Sequence, residues 1–402
     1  MSERKPFNFL QNCHFERREQ GIVNLEPTMK QAVIRRTVRK FAETRLAPAA
    51  AEMERTGDFS WDVASEMADL QYYGLEIPGR YGGAGLDAVS YAIVIEEISR
   101  VSAAMGLCIS VHNSVSAYPI YIFGNEEQRE RFLVPLASGE KIGTFCLTEP
   151  NAGSDVSSLE TTAVRDGDEY VLNGNKIFVT NGGISGTNLI FACTRPDEEP
   201  RGFTVFIIES EREGFEKGPP EDLMGMRGNP VCPISIHDCR IPAKNRLGAE
   251  GEGLKIALSA LCVGRIGIAA QALGIAQASF EVSVKYVGER YQFGKAISEF
   301  GSVQDFLADM ATRIEAARLL THRASDLRNK GLDYVRESAM AKVFASEVAV
   351  DAARIGVQIH GGYGYTKAYP IERFYRDAKA CEIYEGTSEI QRIVIARSLI
   401  KE

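Results

Sequence analysis

Two short stretches carry side chains whose types and spacing can do chemistry. Tyr384-Glu385-Gly386-Thr387 sets one carboxylate on a glycine-hinged loop just ahead of a helix-forming run. A loop glutamate is ordinarily solvated, but the setting of Glu385 argues for more. Gly386 lets the chain bend, Ser388 and Gln391 have the spacing of a capping box, and Tyr384 offers an aromatic wall. A carboxylate walled by apolar groups has a raised pKa, which suits it to take a C–H proton. Far earlier, Leu147-Thr148-Glu149-Pro150-Asn151-Ala152-Gly153-Ser154-Asp155 follows an apolar strand with a run of amide and hydroxyl donors. By composition alone this is an ordinary loop, with Asp155 capping a turn.

Four further stretches stand out. Lys176-Ile177-Phe178-Val179-Thr180-Asn181 alternates as a strand does, with Phe178 available to a core. Arg265 interrupts the apolar run Leu261-Cys262-Val263-Gly264-Arg265-Ile266-Gly267-Ile268, where a charge is usually paired or reaches for the surface. Arg290-Tyr291-Gln292-Phe293-Gly294 and Gln358-Ile359-His360-Gly361-Gly362-Tyr363-Gly364 read as helix ends turned by glycine.

The elements that must position these residues change type twice. Residues 1–27 show no sustained period and read as an N-terminal extension. From Thr28 the apolar spacing is helical as far as Pro48, and helices are predicted again over 61–73, 88–102 and 126–136. From Gly143 the pattern becomes that of strands, over 143–148, 161–165, 169–172, 176–180, 188–194, 202–209 and 234–241. Asp166-Gly167 and Asn173-Gly174 serve as turns, which predicts an antiparallel sheet or small barrel. Helical spacing returns over 256–278, from Val303, over 334–359 and over 389–399. The expected class is α+β multidomain: a helical domain (28–142), a middle β domain (143–250) and a C-terminal four-helix-bundle-like domain (251–402). No G-x-G-x-x-G opens a helix after a strand, which argues against a Rossmann dinucleotide site.

Composition narrows the partners. The chain has 402 residues, 54 acidic against 46 basic, and a formal charge of -8, so no nucleic acid is expected. The basic cluster Arg35-Arg36 with Arg39-Lys40 reads as a solvated helix face. Eight scattered cysteines form no C-x-x-C pair, so no metal site is expected and reduced thiols are. No apolar run approaches the roughly 20 residues of a membrane span, and no signal peptide, transit peptide or peroxisomal tail is evident, which predicts a cytoplasmic protein.

Taken whole, Cys146 to Asp155 with Ser158, and Tyr384 to Arg392, resemble the signatures of the acyl-CoA dehydrogenases, flavoenzymes that oxidise the α,β bond of an acyl thioester. The resemblance covers residues 28–402 and is closest in motif text to the short-chain and short/branched-chain members. It implies non-covalent FAD and Glu385 as the base. Phe145, Leu147, Thr148, Phe178 and Thr180 would lie at the flavin ring, with Phe178 replacing the family's usual tryptophan. Arg290, Gln292, Phe293, Gln358, Gly361, Gly362, Thr387 and Glu389 would serve the rest of the cofactor, several across a dimer interface. Ser154, Arg265, Tyr384 and Gly386 would serve the substrate.

In other branches of the family the base stands at the position of Gly264, which cannot act as one. Cys262 and Ala368 depart from the usual acidic residues. The resemblance further implies an acyl-CoA substrate, electron-transfer flavoprotein as acceptor and a homotetramer built as a dimer of dimers. Two rival readings are an acyl-CoA oxidase using oxygen and a catalytically silent flavin-holding protein. A decarboxylating glutaryl-CoA-type enzyme is disfavoured because Gly106 stands where those enzymes carry an arginine.

Overall fold

The computed structural model describes residues 27–195 and 202–400, so the extension and Cys13 lie outside the described residues apart from Pro27. The first helix, α1 (Met29–Phe41), starts at a true capping box between Thr28 and Gln31. Pro48 does not end the run. A π-helical turn (Ala42–Leu46) absorbs the irregularity, and Pro48 falls in the first turn of α2 (Ala47–Thr56), where its missing N–H costs nothing.

After α3 (Trp61–Asp69) and α4 (Ala88–Ser99), the chain forms a helical stretch that the residue pattern did not predict. It comprises α5 (Ala103–Val111), a π turn (His112–Ala117) and α6 (Tyr118–Phe123). Every residue from Ala103 to Ala117 is buried, so no polar face marks the 3.6-residue period. Ser102, expected to end the previous helix, instead caps α5 by accepting from Met105 N–H. Short α7 (Glu126–Gln128) and α8 (Val134–Ala137), joined by a π turn, complete this region.

The middle region is one eight-stranded sheet. It contains β1 (Gly143–Cys146), β2 (Thr162–Asp166), β3 (Glu169–Val179), β4 (Thr187–Arg195), β5 (Gly202–Glu209), β6 (Phe215–Lys217), β7 (Cys232–Pro242) and β8 (Arg246–Leu247). The order is β6-β7-β3-β2-β4-β5-β8, with β1 added on β4. Pairing is mainly antiparallel, but β1 and β2 each run parallel to β4. Asn173-Gly174 is not a hairpin turn. It is an irregularity inside β3, where Gly174 passes so close to Thr161 that a Cβ would collide with it. Alternation along β4 and β5 sends Leu189, Phe191, Val205 and Ile207 toward the helices. Ile190, Ala192, Phe206 and Ile208 enter a second core with β7.

The C-terminal helices are α9 (Gly253–Glu289), α10 (Gly301–Asn329), α11 (Val335–His360), α12 (Ile371–Cys381) and α13 (Ser388–Ile400). A small hairpin of β9 (Tyr291–Gln292) and β10 (Lys295–Ala296) links the first two helices. One core runs from α1 and α4 through α9 to α11 and α12, which locks the two helical regions together. The 37-residue α9 corrects one expectation: by length and composition it could cross a membrane, yet its apolar stretch is mostly buried within this bundle. Arg35 and Arg39 correct another. They pair with the buried Glu96 and Glu97 of α4 rather than facing solvent.

Candidate active site

Glu385 sits in the turn between α12 and α13 with φ +52°, a left-handed conformation that is unusual for a side-chain-bearing residue. The turn is held from below. Gln391 on α13 is buried and donates to the carbonyls of Glu385 (3.2 Å) and Gly386 (2.8 Å). Gly386, at φ +92°, takes a backbone conformation that suits glycine, and a Cβ there would also lie 2.6 Å from Gln391 Nε2. The expected Ser388–Gln391 capping box is therefore not what forms. Thr387 Oγ1 accepts from Ile390 N–H to cap the helix, and Gln391 serves the loop instead.

Both carboxylate oxygens of Glu385 are buried and have no hydrogen-bond partner among the described residues. Burial pushes the carboxyl up to about 7, against the pull of Lys342 and Arg265. Its space is made by Gly264 on α9, where any Cβ would collide with Oε2. Arg265, the next residue, is buried beside Cys262 (Nη1 to Sγ 3.7 Å), and its Nε is unpaired. It influences Glu385 through its charge rather than a direct bond. Tyr384 packs against the core, and its hydroxyl donates to Gln271 Oε1 at 2.7 Å, so the ring can wall the site while the hydroxyl is already engaged. The Glu385 backbone N–H makes no hydrogen bond among the described residues.

The loop after β1 is anchored by a buried ion pair that residue types alone did not single out. Lys176 Nζ bonds Glu149 Oε1 (2.6 Å) and the carbonyls of Leu147 (3.2 Å) and Phe191 (2.6 Å). Glu149 also accepts from the N–H groups of Glu160 and Thr161. Burial pushes its carboxyl up, but Lys176 and these donors more than offset that and hold it below the usual range. Ile177 N–H donates to the Thr148 carbonyl, which brings the loop against the end of β3. There Phe178 takes φ +53° and leaves its ring 59% exposed rather than in a core. Thr148 and Thr180 are half-buried, with no hydroxyl partner among the described residues. An exposed aromatic face beside unpaired polar groups fits a flat ring with a polar edge. Ser154 is exposed farther along the loop.

A third group lies elsewhere. Arg290, Gln292, Gly361 and Gly362 line a cavity of about 450 Å³, with the Arg290 guanidinium 5.4 Å from the Tyr363 ring. Gln358 is exposed and not part of this lining, and Phe293 projects from the hairpin turn at 93% exposure. Glu389 is also exposed, as is Ala368. With a rise of about 1.5 Å per residue, α9 separates Gly264 from Arg290 by roughly 40 Å along its axis. One chain therefore does not bring the Arg290 cavity to its own Glu385.

Models of the acyl-CoA dehydrogenase N-terminal, middle and C-terminal domains match residues 28–140, 144–239 and 251–400. The chain belongs to the acyl-CoA dehydrogenase family. It is similar to an acyl-CoA dehydrogenase of Bacillus subtilis, 49% identical over 93% of this chain and 98% of that one. A short-chain-specific acyl-CoA dehydrogenase of Clostridium acetobutylicum is 45% identical over 93% and 99%. Among solved structures, a chain described with the electron transferring flavoprotein of Acidaminococcus fermentans, in work on flavin-based electron bifurcation, is 45% identical. It superposes with a TM-score of 0.92, covering 94% of this chain and all of that one. As an acyl-CoA dehydrogenase, the protein is an oxidoreductase acting on CH–CH bonds with non-covalent FAD. The exposed Phe178 face and the unpaired Thr148 and Thr180 hydroxyls fit that cofactor.

Proposed function

We propose that the protein dehydrogenates a short, branched or aromatic-substituted acyl-CoA to its trans-2-enoyl-CoA, with Glu385 as the base. The observation that carries this reading is the Glu385 carboxylate, buried with both oxygens unpartnered beside the gap at Gly264. A buried carboxylate without partners is costly for a fold, and its use is to accept a proton. Its carboxyl lies near about 7, so it is ionised in a useful fraction at neutral pH yet basic enough to matter. The free Glu385 N–H is a donor for the thioester oxygen, which makes the α-C–H more acidic. FAD, when bound, would supply the hydride acceptor for the β-hydrogen. Phe178 and Thr180 would flank its ring, the Leu147–Thr148 loop would offer donors to its polar edge, and Ser154 would lie toward the pantetheine arm.

The division into 28–142, 143–250 and 251–402, with an extension over 1–27, is part of the same reading. So is a homotetramer made of dimers, which explains why the Arg290 cavity stands so far from Glu385 in one chain: it serves the partner's cofactor. Electron-transfer flavoprotein is the acceptor, in line with the setting of the Acidaminococcus relative.

The test is anaerobic bleaching of the flavin by a panel of acyl-CoA thioesters. Bleaching by short, branched or aryl-propionyl members is expected. A flavin that none of them bleaches would sink the reading, and stoichiometric peroxide in air would make the protein an oxidase instead.

A further inference from the structure

The base is not the only ionisable group sealed into this site. Lys342 lies on α11 in the run Ala339-Met340-Ala341-Lys342-Val343-Phe344-Ala345, and its side chain is fully buried. A lysine in the core is expensive unless its charge is used. Its ammonium group donates to one described acceptor, the Gly386 carbonyl, at 2.7 Å. That carbonyl belongs to the residue after Glu385 and also accepts from Gln391. Two donors from two helices thus converge on one oxygen of the base loop, where Glu385 is held at positive φ.

We propose that Lys342 is a positioning residue for the base: its buried ammonium group pins the Gly386 carbonyl and supplies the positive charge against which the Glu385 carboxylate ionises. The inference rests on the reading of Glu385 as the base. Among the described residues no anion is paired to Lys342 by a direct bond, so its charge is free to act on the Glu385 carboxylate of the same loop. The other charged and titratable groups facing this pair are Tyr91 on α4, Arg265 on α9, Cys381 and Glu382 at the end of α12, Tyr384 in the base loop, and Glu389 on α13. Of the cations, Lys342 acts on Glu385 more strongly than Arg265 does. Burial pulls Lys342 itself down to about 8, so it is still charged where Glu385 ionises near about 7. Loss of the Lys342 proton above that range weakens the same support, and the two groups titrate as a coupled pair.

Three substitutions separate the two roles. Lys342→Met removes both the bond and the charge, Lys342→Gln can keep an N–H to the Gly386 carbonyl without the charge, and Lys342→Arg keeps the charge. The direct readout is the infrared carboxyl band of Glu385, assigned by its absence in Glu385→Gln and followed against pH in the FAD-loaded protein. The second readout is the pH profile of anaerobic flavin reduction. The Glu385 midpoint should rise by about one pH unit or more in Lys342→Met and Lys342→Gln, the size expected for removal of one nearby opposite charge. It should stay near the wild-type value in Lys342→Arg. The plateau rate at high pH should fall in Lys342→Met more than in Lys342→Gln, because only the former frees the loop.

A midpoint unmoved in both neutral variants overturns the inference. Variants that all fail to hold FAD also overturn it, since Lys342 would then be a packing residue. Failure of the underlying reading looks different: Glu385→Gln would reduce its flavin near the wild-type rate, whatever Lys342 does.

Discussion

Gly264 and Glu385, on a helix and a turn more than a hundred residues apart in sequence, share one space: a Cβ on the glycine collides with carboxylate Oε2. A glycine on α9 therefore shapes the space that the Glu385 carboxylate occupies. Gly264→Ala should leave the fold intact, because the obstructing atom is the end of a flexible side chain and alanine favours a helix. The displaced carboxylate should slow flavin reduction by about 10²-fold, as misplacement by about 1 Å can. Stopped-flow reduction beside a flavin-to-protein ratio checks this. An unchanged rate would mean that the base does not occupy the gap.

Glu385→Gln keeps the loop and its shape but cannot take a proton. Flavin reduction should fall by at least roughly 10²–10⁴-fold while FAD stays bound. A rate within a few-fold of wild type removes Glu385 from the mechanism.

The same residue sets a pH dependence of both rate and stability. Glu385 is raised from 4.5 to about 7 by burial, so flavin reduction in the wild type should rise with pH through about 7. Stability moves the other way. The folded state holds a proton that the unfolded chain releases near 4.5, so this site's contribution declines as pH rises from 4.5 to about 7. Glu385→Gln should therefore melt higher than wild type at pH 8, with the difference vanishing near pH 4. Equal differences at both pH values would show that the carboxyl is not perturbed.

Lys176→Met breaks the pair beneath the Leu147–Thr148 loop and leaves Glu149 buried without its cation. Removal of one partner of such a pair costs about 3–5 kcal/mol. Denaturant unfolding should register that loss, and the released Leu147–Thr148 loop should let FAD dissociate more readily. Unchanged stability and full FAD retention would argue that the loop is held by other contacts.

Arg290→Ala addresses the distant cavity. It should weaken FAD retention and shift the assembly toward smaller species in sedimentation, because the proposed reading places both on the same face. A variant that keeps its FAD as a stable monomer contradicts that placement.

Much of this was legible in the residues because it is local. The helical spacing from Thr28, the strand alternation from Gly143 onward and the glycine-hinged turn at Glu385 depend on neighbours within a few positions. Motif text, read as a resemblance, extended this to the family and its fold, which the domain matches bear out. Even local signals failed where burial is complete. The stretch Ala103–Ala117 shows no polar face, and Asn173-Gly174 has turn composition inside a strand that must pass close to Thr161.

What only the tertiary structure decided is which charges are sealed together. Nothing in the spacing of Lys342 and Gly386, or of Lys176 and Glu149, marks them as partners. A lysine has the same sequence signature on a wet helix face as in a core, and its role depends on the dielectric around it. That environment is built by helices and strands distant in the chain. The sequence by itself supplied a carboxylate on a bend; packing buried it without a partner among the described residues and set it against Gly264, the arrangement on which its proposed role as base rests.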